Sequence, residues 1–311
     1  MRVTRSMMYR SALTDLSALR TQMARTQEQA STMQRVNRPS DDPAAAAEIQ
    51  SLEAQLRGLQ QHQRTVSGVR ARINVTESTL RDAADRIARV RELALQGANE
   101  THTSEGRAQM ALEVEGVYDA MLGLANSRFA GSYLFGGYES SDAPFIRFGP
   151  ETPLPERIAY AGDPSEIEVE IEEGLRVRTS LDGRRVFHGD ADGDGFTEAG
   201  REDVFRVLRD LHTALSDDDP VAVRATLDSI DRVFSQLNVE AIRIGLVNGE
   251  LDAAAHRLEG KILDVQLQLR DVGDADFAEV ISRSVREEAA LRASLEMMNR
   301  LMSPTLLDFL G

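Results

Sequence analysis

The stretch LEAQLRGLQQHQRTVSGVRARINVTESTLRDAADRIARVRELA, from Leu52 to Ala94, decides the fold. Within it Leu52, Leu59, Val66, Ile73, Leu80, Ile87 and Ala94 recur every seven residues without a break. Seven residues are close to two turns of α-helix, so the series draws one apolar seam along a single helix face. Its companion series begins with Ile49 and Leu56, meets Gln63 and Arg70, and recovers at Ala84. One strong seam and one weak one predict a long helix packed along neighbours, with less burial in its middle.

Proline placement extends this pattern in both directions. Residues 44–143 and 221–303 contain no proline, whereas Pro144, Pro150, Pro153, Pro155 and Pro164 crowd into one short stretch. Proline inside a helix costs about 3 kcal/mol, so the chain reads as helix, then loop and strand, then helix. The first segment carries the same spacing in Leu16, Met23 and Ala30, interleaved with Ala12, Leu19 and Met33. On the last segment Phe277, Ile281, Leu291, Leu295, Met298 and Met302 form a stripe expected to be coiled-coil core. Terminal helices with apolar seams need partners: each other, or the same helices of neighbouring subunits.

Between Tyr133 and Phe187 the period changes. EIEVEI (Glu166–Ile171) and GLRVRTS (Gly174–Ser180) alternate apolar and polar residues as strands do, and Asp182-Gly183 predicts a hairpin turn before RRVF. Seven of the ten phenylalanines lie between Phe129 and Phe205, so this excursion is expected to have an aromatic core. The predicted fold is mainly α: a long antiparallel coiled-coil-like helical bundle of N- and C-terminal segments, with a small β-rich domain inserted in the middle. The expected divisions are an inner helix over 1–40, helical body over 41–132, a β-rich outer domain over 133–200, helical body over 201–272, and a last inner helix over 273–311.

A net charge of -15 argues against broad nucleic-acid binding. Locally the sign reverses: seven arginines against Asp15 and Glu28 leave residues 1–40 at +5. The absence of cysteine excludes disulfides, thiolate catalysis and cysteine-zinc sites. No window approaches a membrane span, and Arg5, Arg10, Arg20 and Arg25 break up the N-terminus, so no cleaved secretory signal is expected. The histidines His62, His102, His188, His212 and His256 are scattered, without paired ligand spacing. Gly136-Gly137 lacks the spacing and the lysine of a phosphate loop. No nucleophile-base arrangement stands out, and no enzyme is expected.

One stretch does carry metal chemistry. GDADGDGFTEAGRED (Gly189–Asp203) places Asp190, Asp192 and Asp194 in alternation before Gly195, with Glu198 at the ninth position. An EF-hand loop uses oxygen ligands at those positions, but it closes with a bidentate glutamate at the twelfth. Here the twelfth residue is Arg201, and no helix precedes the loop. Calcium stays a weak candidate ligand; the competing expectation is an acidic turn with Glu202 or Asp203 at the start of the next helix, where negative charge suits the dipole.

NRPSDDPAAAAEI (Asn37–Ile49) reads locally as a helix stop, cap residues Ser40 to Asp42, proline in a first turn, and a second helix. It also resembles the helix-loop-helix near the N-terminus of the bacterial flagellin family, in its hook-associated branch. RFAGSYLFGGYESSDAPF (Arg128–Phe145) looks like that branch's passage into the middle domain. The C-terminal VGDADFAEVISRSVREEAALRASLEMMNRLMSPTLLDFLG is similar to the shared last helix, with its finish at Leu306, Leu307, Phe309 and Leu310.

This resemblance implies a non-enzymatic adaptor joining the flagellar hook to the filament, without cofactor. Its terminal helices would pair in an inner tube, with Leu13, Leu16, Leu19 and Met23 against Leu291, Leu295, Met298 and Leu301. The implied partners are copies of the chain in a ring, a neighbouring hook-associated junction protein, flagellin or the filament cap, and an export chaperone before assembly. Neither nucleic acid nor a membrane span is implied. The implied location is the extracellular flagellum at the hook-filament junction, reached by type III export without signal cleavage. Two alternatives stand beside it: a minor flagellin, and a calcium-binding interaction module.

Overall fold

The computed structural model describes residues 5–149, 154, 157–190 and 196–302. Six helices and six short strands follow in the order α1 (Arg5–Thr32), α2 (Pro43–Gly97), α3 (Ser104–Ala125), β1 (Arg128–Phe129), β2 (Ser132–Tyr133), β3 (Phe145–Phe148), β4 (Arg157–Tyr160), β5 (Glu168–Glu172), β6 (Leu175–Arg178), α4 (Val204–Ser216), α5 (Pro220–Gly273) and α6 (Phe277–Met302). They divide into one unit of Met1–Gln60 with Gly260–Gly311, and a second of Gln61–Glu259.

Helix starts follow the sequence chemistry closely. The Asp42 carboxylate accepts the Ala45 N–H at 3.0 Å, with Pro43 in the first turn of α2. That backbone N–H, followed by the Arg35 guanidinium, lowers the Asp42 pKa. Thr103, Asp203, Asp219 and Asp276 cap α3 to α6 in the same way. The end of α1 comes earlier than its apolar spacing suggests. Met33 turns into the left-handed region at φ 59° and is exposed, so it leaves the seam it was expected to join.

In the second unit, α2 and α5 run antiparallel. As α2 advances, Arg70 meets Asp252, Asn74 Oδ1 accepts from Asn248 at 2.8 Å, Arg91 meets Asp231, and the Ala98 carbonyl accepts from Arg224. Val66, Ile73, Leu80, Ile87 and Ala94 are buried as the seven-residue series requires. The companion series behaves as expected, half-buried at Gln63 and Arg70 and buried again at Ala84, but a further seam, one position earlier, runs through Val69, Thr76, Ala83 and Val90. Burial is therefore densest from Val66 onward, not weakest there. The further seam follows from neighbours on the α5 side, which the sequence of α2 alone does not contain.

The strands form three separate antiparallel pairs, β1 with β2, β3 with β4 and β5 with β6. Gly174, at φ 75°, makes the turn between β5 and β6. RRVF is not a strand: Arg184–His188 is a single π-type turn, begun where the Asp182 carboxylate accepts the Arg184 N–H at 2.9 Å. That side-chain hydrogen bond captures the backbone locally, so Asp182-Gly183 closes no hairpin. The phenylalanines gather as expected. Phe145 packs its ring against Tyr160, Phe187 and Phe205, Phe135 against Phe187, and Tyr118 of α3 against Phe205 of α4. Each such pair contributes about 0.5–1.5 kcal/mol beyond area burial, and together they seat the strands on α3 and α4.

Candidate functional site

In the first unit α1 and α6 form an antiparallel pair. The Met33 carbonyl accepts the Ala275 N–H at 2.9 Å, and nearer the middle Thr26 Oγ1 donates to Glu287 Oε1 at 3.1 Å. Leu16 and Thr26 are buried on α1, with Ala12, Leu19, Met23 and Ala30 half-buried between them. On α6 the inward face is Val280, Ser284, Glu287, Leu291 and Met298. The expected single stripe is thus two faces, because Phe277, Ile281 and Leu295 are exposed, together with Val285.

The expected contact residues divide accordingly. Leu16, Leu19 and Met23 of α1 face inward, as do Leu291 and Met298 of α6, whereas Leu13 is 44 % and Leu295 40 % exposed. The side chain of Leu301 lies outside the described residues, as do Leu306, Leu307, Phe309 and Leu310. With Met7, Met8 and Tyr9 also exposed, the helix pair carries apolar surface that no described residue of its own unit covers.

The second unit is held by charge as well as by the aromatic cluster. Glu240 of α5 is fully buried, and its Oε1 accepts from Arg185 Nε at 2.9 Å and from Arg201 Nη2 at 3.0 Å. Arg243 lies 3.6 Å from Oε2. One turn earlier Gln236 donates to the carbonyls of Val186 and Glu202 and accepts the Glu202 N–H. The Glu202 carboxylate takes Arg206, Ser229 and Arg232, and farther along α5 Arg257 pairs with Glu172. The α5 residues Ser229, Arg232, Gln236, Glu240, Arg243 and Arg257 recur at helical spacing on one face. Sequence reasoning missed this face; the readable signal was Gln236 and Glu240 set among the apolar Val233, Leu237 and Ile244.

The aspartate-rich loop ends in this cluster. Asp192 and Asp194 lie outside the described residues, while Asp190 is buried after the π-type turn. Arg201, at the twelfth position, reaches away from a ligand role to Glu240 and to the Arg185 carbonyl at 2.9 Å. Asp203 caps α4 with one oxygen and holds His188 Nδ1 at 2.8 Å with the other. Among the described residues no group of three or more acidic or histidine side chains is placed to hold a metal.

A cleft of about 370 Å³ runs beside β4, with Arg157, Tyr160, Arg184, His188, Asp190 and Asp203 on its walls. Burial raises the Tyr160 pKa, and its single O–H lies between two acceptors, the Phe135 carbonyl at 2.9 Å and the Asp163 carbonyl at 3.0 Å. Burial likewise raises the Asp182 pKa, with Arg184 opposing at 3.3 Å. Tyr160 and Asp203 on the cleft wall hold backbone and neighbouring side chains, while the buried His188 Nε2 and Arg184 Nε have no hydrogen-bond partner among the described residues. No described helix is long and apolar enough to cross a membrane.

Comparison with known proteins matches these features. Residues 3–140 fit the bacterial flagellin N-terminal helical region. The chain is similar to the flagellar hook-associated protein 3 of Escherichia coli, 26 % identical over 94 % of this chain and 95 % of that one. A flagellar filament 30.7 kDa core protein of Treponema maltophilum is 23 % identical over 87 % of this chain and 85 % of its own. The crystal structure of Xanthomonas campestris FlgL has the same fold, at a TM-score of 0.60 and 19 % identity, covering 70 % of this chain and 99 % of that one.

Proposed function

We infer that this chain is a structural adaptor of the bacterial flagellum, joining the hook to the filament by polymerising through its terminal helices. The observation that carries the reading is the α1–α6 pair. It closes one seam internally and leaves Leu13, Phe277, Ile281, Val285 and Leu295 exposed on helices whose burial needs a neighbour. Near full-length similarity to a hook-associated protein supports the junction over other flagellar positions. In this reading copies of the chain form a ring, between a hook-associated neighbour on one side and flagellin or the filament cap on the other. No catalysis is required: the work is the burial of apolar seams between two different lattices. An export chaperone would cover the terminal helix before assembly, and export would proceed without signal cleavage to the outside of the cell.

A minor flagellin is the second reading, favoured by similarity to the Treponema filament core protein. The two separate in a deletion strain. Intact hooks without filaments, with filament protein shed into the medium, support the adaptor; filaments of normal length on such hooks overturn it. Purified chain that grows long filaments by itself favours the flagellin. Leu295→Asp with Met298→Asp tests the seam, since the second unit should stay folded while assembly fails. Normal filaments built with that variant would exclude the seam assignment.

A further inference from the structure

We propose that the Glu240 cluster is a latch that sets the position on α5 of the strand module, meaning β3 to β6 with the π-type turn and the loop before α4, separately from the forces that fold the helices. Helix α5 is the surface on which the module docks. A long helix with recurring apolar spacing offers nearly equivalent seats one heptad apart, and apolar contact by itself distinguishes them poorly. Burying a carboxylate is costly unless it is paired, so a buried charge with fixed partners makes one seat acceptable and the others not.

Glu240 meets these conditions. It is fully buried on α5, yet its partners come from two separate segments of the module: Arg185 of the π-type turn and Arg201 of the loop before α4. Both guanidiniums converge on the same oxygen, and Arg201 also donates to the Arg185 carbonyl. Sliding the module by one helical turn would strand the carboxylate and both cations together. Gln236 adds a direction: its amide donates to the Val186 and Glu202 carbonyls and accepts the Glu202 N–H, which only one orientation allows. Arg243 lies 3.7 Å from Glu166, and farther along α5 Arg257 pairs with Glu172, so β5 has its own ionic contact with the helix. The module's own folding depends on other contacts, namely its aromatic cluster and strand pairs. The contact with α5 through Glu240 and Gln236 is polar where the contact with α4 through Phe205 is aromatic, and that separation makes a latch. It stands whether or not the chain acts at the hook.

The full chain tests this directly. Glu240→Gln keeps the shape and one acceptor oxygen but removes the charge that satisfies Arg185 and Arg201. Hydrogen exchange in the segments around Ile167–Arg178 and Val186 should rise by roughly tenfold or more, as expected when a buried ionic contact opens locally, while α2 from Val66 to Ala94 keeps its protection. Unchanged exchange throughout would overturn the proposal. So would a uniform rise that includes α2, because Glu240 would then be an ordinary stabilising residue of the whole unit. A second variant separates register from strength: Arg185→Met/Arg201→Met/Glu240→Leu replaces the ionic contact by apolar ones. The chain has no cysteine, so spin labels at Glu173→Cys and Glu250→Cys report the module's position on α5. One narrow distance is expected with the latch and a broad or split distribution without it; one narrow, unshifted distance in the triple variant would also overturn the proposal.

Discussion

Arg201 donates to Glu240 at 3.0 Å, so the residue at the twelfth position of a calcium-like loop is bound to a carboxylate of its own chain. A guanidinium there carries its own positive charge into the cluster. The loop is tied to α5 by an internal cation, which explains why its acidic spacing stops short of an EF-hand. Calorimetric titration of calcium into the full chain is expected to give no binding heat, and Asp190→Ala to leave the trace unchanged. A saturable heat abolished by Asp190→Ala would restore the loop as a metal site.

The α2 seam predicts a sharp contrast between two leucines. Leu80 is buried in the second unit, while Leu95 is exposed on the same helix. Leu80→Ala should cost about 2–5 kcal/mol in urea unfolding, through lost transfer energy and the cavity left behind. Leu95→Ala should stay within about 0.5 kcal/mol.

Thr26 and Glu287 place a buried polar contact inside the helix pair. Thr26→Val with Glu287→Leu should raise the thermal stability of the α1–α6 pair, by about 1 kcal/mol or more, because a well-packed apolar pair avoids the desolvation penalty. Register should loosen at the same time. Cysteines introduced at Met33 and Ala275, whose backbones are hydrogen-bonded, should cross-link less completely in that background. Undiminished cross-linking would show that the apolar seam sets the register unaided.

His212 makes stability depend on pH. Burial lowers its pKa below 6.5, with the Glu115 carboxylate opposing. The unfolded chain therefore binds this proton more tightly than the folded one. Its contribution is complete above about pH 6.5 and is lost as pH falls through that value toward the folded pKa. Urea midpoints at pH 7.5 and 5.5 should differ less in His212→Gln than in the wild type.

Gly137 sits at φ 61°, and a Cβ there would lie 2.1 Å from the Asp163 carbonyl oxygen. Gly137→Ala should destabilise the strand module by more than about 1 kcal/mol, since backbone, not a movable side chain, is in the way. The sequence comparison with phosphate loops missed this role. The glycine allows two backbone segments to approach.

The sequence by itself determined the helices, their capped starts and the antiparallel logic of the ends. Those features depend on local spacing, on Asp42 and Asp203 as caps, and on the seven-residue series through Leu80. Tertiary structure decided which faces those helices use. It added an α2 seam through Val69, Thr76, Ala83 and Val90, divided the α6 stripe into an inward Leu291 and an outward Leu295, and turned RRVF into a π-type turn. It also brought Arg185, Arg201 and Glu240 together from distant positions in the chain. The physical reason is the same in each case: local periodicity places apolar groups on a helix, but burial and the pairing of charges depend on what arrives from the other side.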